Sequence, residues 1–436
     1  MILALYNLLW RMARPLLLRK LQRRGAQEPG YLHAVHQRFA DYTTQEREQA
    51  QAHAGQWVWV HAVSLGETRA AGILLQALRE AQPGLRLLLT HGTATGRQEG
   101  QKLLHAGDLQ VWLPWDERGA VKRFVQTFRP RVGLMLETEI WPQLLRTCQQ
   151  EKVPVALVNA RLSEKTLRQW HRLPRFAQQT YGSLAMAFAQ TEQDAAHLRT
   201  LGADPVLVTG NLKFDAVPDA ALMEQGRALR QRWQAHEATP RRVALLASSR
   251  EGEEAMWLQA LQALSAEQRE AVQWLVVPRH PQRFDEVAAL LQTADFAVHR
   301  RSTEMLAAGT STTVWLGDSM GEMPMYYAMA DLALMGGSFE ALGGQNLIEA
   351  CACGCPVLLG PHTFNFSEAS EQAIAAGAAL RRADMAQAVQ QALDVLLSDD
   401  AHRLQTMQQA ARAFSQAHRG AAARTVSHLQ QRGWLG

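Results

Sequence analysis

Apolar residues along this chain follow two alternating rhythms: short unbroken apolar runs, and stretches in which apolar positions return every three or four residues. The clearest join lies in Trp57–Arg69, where Trp-Val-Trp-Val-His-Ala-Val breaks at Ser64-Leu-Gly66 and gives way to Ala71, Leu74, Leu75 and Leu78, spaced i, i+3, i+4 and i+7. This predicts a strand, a turn and a helix with Glu67 in its first turn. Strands are also predicted at Leu85–Thr90, Val111–Leu113, Val132–Leu136, Val153–Val158, Leu184–Phe188 and Val206–Val208. After a charged helical stretch bounded by Pro218 and Pro240, a second series follows: Val243–Ala247, Trp274–Val277, Thr313–Leu316, Leu332–Met335 and Pro356–Leu359. Strands alternating with helices imply parallel βαβ units. The expected fold class is α/β, with two Rossmann-like domains facing a central cleft. Residues 27–216 and 242–410 form the domains, 217–241 a linker, 1–26 an N-terminal helix and 411–436 a C-terminal helical segment.

A length of 436 residues, with 47% hydrophobic and 20% charged positions, fits two globular domains. The net charge is only +4, but its distribution is uneven. The first 27 residues carry Arg11, Arg14, Arg19, Lys20, Arg23 and Arg24 and no acid. That asymmetry points to an anionic surface rather than to nucleic acid. The apolar run that opens the segment is broken at Arg11, short of the ~20 residues that span a bilayer. No charge precedes it and no small-residue cleavage site follows, so a secretory signal fits poorly. An interfacial anchor is expected, with leucines and Trp10 in the acyl boundary and arginines on headgroups; a buried packing helix is the alternative. Cys148, Cys351, Cys353 and Cys355 lack the paired spacing of a zinc site and read as small buried residues of a reduced protein.

Chemistry is expected where strands end, because ligands of open α/β sheets bind at the carboxyl ends of the strands. Glu67 stands at a helix N-terminus, where the dipole favours a carboxylate able to accept a proton; an ordinary capping glutamate is the simpler reading. Val132–Leu136 runs into Glu137-Thr-Glu139, and Val206–Val208 into Thr209-Gly-Asn-Leu-Lys213, which presents a cation for charge developing on a leaving phosphate. Helix-start acids and a surface lysine are the alternatives. In the second series, Ser248-Ser249-Arg250-Glu251-Gly252, Pro278-Arg279-His280-Pro281 and the Gly336-Gly337 and Gly343-Gly344 pairs follow strands, the last opening into a helix near Leu347. Glycines allow close approach of a phosphate and the helix start offers N–H donors, while Glu349 stands one turn in, within reach of a ribose hydroxyl. A Walker loop, a G-x-G-x-x-G fingerprint and an HExxH pair are all missing. These residues describe a nucleotide-dependent transferase with metal-free chemistry and an acceptor at a membrane surface.

The segments HAVSLGE (61–67), ETEIWP (137–142), NARLS (159–163), TGNLKFD (209–215), VPRHPQRF (277–284), GDSMGEM (317–323), ADLALMGGSF (330–339), GGQNLIEA (343–350) and GPHTFNF (360–366), in this order, resemble the Kdo (3-deoxy-D-manno-octulosonic acid) transferases of lipopolysaccharide synthesis. The resemblance spans about 57–370. It implies a GT-B fold and inverting transfer of Kdo from CMP-Kdo to a glucosamine hydroxyl of a lipid A precursor (lipid IVA), at the cytoplasmic face of the inner membrane. It implies Glu67 as general base, and Glu137 and Lys213 as support for the transition state. It also implies a CMP site of Pro278, Arg279, Met320, Gly321, Glu322, Asn346, Leu347, Ile348 and Glu349, with no metal and no cofactor. Asn211 departs from relatives that carry Ser there. Another two-domain glycosyltransferase, a nucleotide-sugar epimerase and a non-catalytic lipid-binding scaffold are the competing readings.

Overall fold

A parallel sheet covered on both faces has no polar side to present, so its strands are apolar throughout rather than alternating. In the computed structural model, which describes residues 2–235, 240–303 and 313–435, such runs build two separate sheets. The first contains β1 (Trp57–His61), β2 (Arg86–His91), β3 (Leu109–Trp112), β4 (Val132–Leu136), β5 (Val155–Ala160), β6 (Met186–Ala189) and β7 (Val206–Val208), in the order β3-β2-β1-β4-β5-β6-β7. The second contains β8 (Arg242–Ser249), β9 (Val272–Pro278), β10 (Ala297–Arg300), β11 (Thr313–Leu316), β12 (Leu332–Met335), β13 (Val357–Leu359) and β14 (Ala379–Arg381), in the order β10-β11-β9-β8-β12-β13-β14. All pairings are parallel.

The strand expectations hold to within a few residues at each end, and two strands had no expectation: β10 and β14. Both lie at sheet edges, half-exposed, and Ala-Val-His-Arg and Ala-Leu-Arg carry too little apolar sequence to stand out. In each sheet the first strand in sequence is central, flanked by the second on one side and by a later strand on the other: β2 and β4 for β1, β9 and β12 for β8. Connections leave these pairs in opposite directions, which opens a crevice at the carboxyl ends of β1/β4 and β8/β12.

Side chains along β1 alternate between two cores. Trp57 and Trp59 join Phe124, Phe128 and Tyr181 on one face, and Val58 and Val60 join Leu74, Leu134 and Phe188 on the other. Gly133 on β4, opposite Trp59, leaves room for the indole; a Cβ there would stand 2.6 Å from its ring. The indole N–H of Trp59 donates to Thr90 Oγ1 at 2.8 Å.

The chain divides into two compact units, Met1–Asp215 with Arg419–Gly436, and Ala216–His418. The stretch 217–241, expected as a linker, contains a helix, Ala220–Gln234, that is part of the second unit. Gly226 lets that helix press on the Met325 carbonyl, and Arg230 reaches the buried Asp331 at 2.6 Å. Residues 236–239 of that stretch lie outside the described residues. The segment 411–436 is likewise not one body. Helix Ala401–Ala417 stays with the second unit, whereas helix Ala421–Gln431 buries Ala421, Val426 and Leu429 in the first.

The N-terminal helix α1 (Ile2–Gln27) lies along the first unit. Tyr6 donates to Asp116 at 2.8 Å, Asn7 to Gln143 at 2.7 Å, and the Arg14 guanidinium lies 4.0 Å from the Phe39 ring centre. Ile2, Leu5, Leu9, Met12 and Leu16, at intervals of three and four, form an exposed stripe. Trp10 is not part of it: one residue on from Leu9 is a 100° turn, and its half-buried ring packs 6.4 Å from that of Trp141. Among the described residues no helix is long and apolar enough to cross a membrane.

Asp215 fastens the returning helix, since its carboxylate accepts from the amides of Gly420 and Ala422 at the helix start. Asp215→Ala is expected to cost about 1–2 kcal/mol in denaturant unfolding of the first unit, with Asp215→Asn recovering part of it.

Candidate active site

The β1/β4 crevice is built from the ends of β1, β4, β5 and β7. After β1, Ser64 caps the helix Leu65–Ala81 by accepting the Glu67 amide at 3.3 Å. The Glu67 carboxylate folds back in turn, accepting from the Val63 amide at 2.7 Å and from the Ser64 hydroxyl at 3.0 Å. It therefore acts as a cap, as the simpler reading expects, and it also has acidic company. Burial pushes its carboxyl above the ordinary range, the Val63 N–H pulls it back, and the negative charges of Glu139 and Glu137 push it up again. A carboxyl raised in this way is more basic than a free one and better suited to take a proton from a hydroxyl.

Glu137, directly after β4, has a left-handed backbone, φ 56°, unusual for a residue with a side chain. That conformation holds its buried carboxylate 3.2 Å from Arg161 Nε and 3.5 Å from Lys213 Nζ. Lys213 sits on a single turn whose start is set by Asn211, which accepts the Lys213 amide at 3.0 Å. Asn159, near the end of β5 and also left-handed at φ 54°, accepts the Leu212 amide at 2.9 Å and so fixes the same turn. Glu139 accepts from the Trp141 indole at 2.8 Å and lies 3.8 Å from Nε2 of the buried His61.

The three residues expected on this side, Glu67, Glu137 and Lys213, are thus brought together. Arg161, Asn159 and His61 were not singled out from the sequence, although each stands at or just after a strand's end, the position that marked the others.

On the second unit the expected residues lie at the carboxyl ends of β8, β9, β11 and β12. Ser248 is left-handed at φ 54°, and Gly336 passes so close to its carbonyl that a Cβ would overlap it. Glu253 ties this end together, accepting from the amides of Arg250 at 2.8 Å, Gly337 at 2.7 Å and Phe339 at 3.0 Å. Arg279, after Pro278, donates its amide to Ser249 O at 2.9 Å. In the loop after β11, Met320 and Gly321 are exposed, while Glu322 takes the Ser319 hydroxyl and pairs with Arg301 at 3.2 Å. At the helix Leu347–Ala352, Asn346 Oδ1 is buried without a partner. Leu347 and Ile348 are core side chains, so only their backbone is available to a ligand there, with Glu349 in the same first turn. The cysteines 351, 353 and 355, on this helix and just after it, are buried, which pushes the Cys351 and Cys353 thiols up to about 12.

Residues 33–216 match the family model described as 3-deoxy-D-manno-octulosonic-acid transferase (kdotransferase), and 297–414 match glycosyl transferases group 1. Over 386 residues the chain is 51% identical to the 3-deoxy-D-manno-octulosonic acid transferase of Bordetella pertussis, covering 87% of each. The chain belongs to the Kdo transferases. It is also 30% identical over 400 residues to the enzyme of that name from Haemophilus influenzae, covering 91% of each. A UDP-GlcNAc 2-epimerase from Neisseria meningitidis shares the fold at 16% identity, with a TM-score of 0.55 over 86% of this chain and 100% of its own. That likeness concerns the fold alone. Two units with parallel sheets fit the GT-B class, and this Kdo transferase is a glycosyltransferase.

Removing Lys213 from the buried Glu137 leaves the carboxylate with Arg161 as its remaining partner cation among the ion pairs described above. Lys213→Ala is expected to lower unfolding stability by about 1–3 kcal/mol, and Lys213→Arg to restore most of it.

Proposed function

We propose that this transferase moves Kdo from CMP-Kdo to a hydroxyl of an anionic lipid A precursor, lipid IVA, with Glu67 as general base. The observation that carries the reading is the half-buried Glu67 carboxylate at a sheet crevice, held only by the Val63 amide and the Ser64 hydroxyl and raised by burial and by the neighbouring Glu139 and Glu137. In this reading Glu67 takes the acceptor's proton and the freed oxygen attacks the anomeric carbon from the face opposite CMP. The bond from that carbon to the CMP phosphate oxygen breaks, its electron pair leaves with CMP, and the anomeric configuration inverts. Glu137 holds Lys213 in place, and Lys213 supports the developing phosphate charge as a point cation. On the second unit, Pro278, Arg279, Met320, Gly321, Glu322 and the helix start at Asn346, Leu347, Ile348 and Glu349 take the nucleotide. The transfer step then needs no metal, and EDTA should leave the rate unchanged.

The same reading places the enzyme at the inner-membrane surface, on its cytoplasmic face, lying on the membrane by α1. The exposed stripe Ile2, Leu5, Leu9, Met12 and Leu16, with Arg11, Arg19 and Lys20 on the same helix, suits an interfacial site on anionic lipid.

Product formation from CMP-Kdo and a defined tetra-acylated acceptor, followed by mass spectrometry, tests the assignment; Glu67→Gln should abolish it while keeping the fold. Near-normal turnover by that variant would remove Glu67 from the role. The sign of the stability effect also follows. A carboxyl whose folded value is raised opposes folding once ionised, and this penalty vanishes as pH falls below the ordinary carboxylate value. At neutral pH Glu67→Gln should therefore melt no lower than the wild type. The acid limb of kcat/KM should lie above the ordinary carboxylate range and move to lower pH in Glu139→Gln, which removes one like charge. A limb that stays in place in that variant would contradict this electrostatic account.

A further inference from the structure

Beside the β1 end, entirely within the first unit, lies a cavity of about 300 Å³ between α1 and the loops after β1, β2 and β3. Its walls divide by chemistry. Trp10, Leu17, Leu21, Leu113, Trp115 and Trp141 are apolar, and Lys20, Arg24 and Arg38 are cationic.

Arg38 is the unusual member. It is 7% exposed, its Nε has no hydrogen-bond partner, and its Nη2 donates to the Gly92 carbonyl at 3.1 Å. Its guanidinium lies 3.9 Å from the Trp112 ring centre, with Arg97 5.0 Å from the same ring. Burial and the neighbouring Arg97 and Arg24 hold Arg38 down to about 10. Among the described residues no carboxylate comes within ion-pair distance of Arg24, Arg38 or Arg97. Glu46, which acts on Arg97 from further off, is occupied by Gln37 at 2.6 Å and the Thr43 amide at 2.7 Å. A buried cation normally has an anionic partner, and here the polypeptide supplies none.

A second buried group on the same wall lacks a hydrogen-bond partner. His61 Nδ1 lies 2.9 Å from Thr90 Oγ1 and 3.2 Å from the Thr90 carbonyl, which can only accept, so the tautomer this network favours carries its proton on Nδ1. Nε2 is then an acceptor, buried and without a hydrogen-bond partner, on a residue that lines the cavity and 3.8 Å from the Glu139 carboxylate, so that one donor placed there would meet two acceptors. It suits an amide N–H or a hydroxyl.

We propose that this cavity receives a phosphorylated, acylated sugar, with its phosphate monoester on Arg38, Arg24 and Lys20, one acyl chain along Trp10, Leu17, Leu21 and Trp115, and a sugar N–H or O–H on His61. The proposal rests on the acceptor reading above and deepens it: α1 becomes a wall of the acceptor site as well as a membrane-facing helix. His61 and Val63 line the cavity, and the Val63 amide holds Glu67, so a sugar seated here is next to the segment carrying the base.

The test uses the full-length protein and tryptophan fluorescence, with an acylated glucosamine phosphate bearing a brominated chain and its dephosphorylated twin as probes. The phosphorylated probe should quench, and its twin should bind roughly 10- to 100-fold more weakly, the loss expected for hydrogen bonds to a charged group. Arg24→Gln and Arg38→Gln should erase that preference, and Trp10→Ala should weaken both probes together. Arg24 is exposed, so the test survives if Arg38→Gln fails to fold. Equal binding of the two probes by the wild type, or a preference intact in folded Arg24→Gln and Arg38→Gln, would overturn the proposal. So would thermal stabilisation by inorganic phosphate equal to that by the amphiphile, which would mark a free-phosphate site. Product formation separates the two claims. A wild type that transfers Kdo yet shows no phosphate preference sinks only the cavity; one that binds the probe as expected and transfers nothing sinks the acceptor reading.

Discussion

Three carboxylates share one end of one sheet, and like charges in a partly buried place repel. Most of the local structure reads as an answer to that repulsion. Glu137 is neutralised by Arg161 and Lys213, and Glu139 is directed by the Trp141 indole with His61 close by. Glu67 receives only neutral donors, an amide and a hydroxyl. The cations go to Glu137, while burial and the charges of Glu139 and Glu137 raise the affinity of Glu67 for a proton. The difference between a structural acid and a reactive one lies in the partners, because the side chains are identical.

The same end of the sheet stores backbone strain. Glu137 and Asn159 both take left-handed conformations that glycine would adopt more cheaply, and Ser248 does so at the corresponding place on the second unit. Each needs its side chain: Glu137 for its two cations, and Asn159 to hold the turn bearing Lys213. Glycine would relieve the backbone and lose the contact. The strain is offset by a rigid parallel sheet whose central strands are fully buried.

Much of the architecture is visible in the sequence, because a strand buried on both faces leaves an unbroken apolar signature. Edge strands β10 and β14 escape for the complementary reason: half-exposed, they tolerate His and Arg. The candidate site is legible where a polar residue directly follows an apolar run, as with Glu67, Glu137 and Arg279. It is less legible where pairing depends on chain-distant contact; nothing local to Arg161 announces Glu137. Trp10 shows a further limit. In the sequence the apolar residues of one helix form a single membrane-facing set, but a 100° step separates the exposed stripe from the ring that packs on Trp141. Likewise the composition of 217–241 resembles a linker, and only Gly226 and Arg230 reveal that its helix is docked.

The return of residues 419–435 to the first unit has a consequence for how the chain is made. The second unit is continuous in sequence, so during synthesis all of its strands emerge before the helix that completes the first. The first unit, although begun earlier, waits with Val58, Leu74 and Leu134 short of the cover that Val426 and Leu429 provide. The order of completion on the ribosome is therefore the reverse of the order of translation, and the unit bearing Glu67 is the last to close.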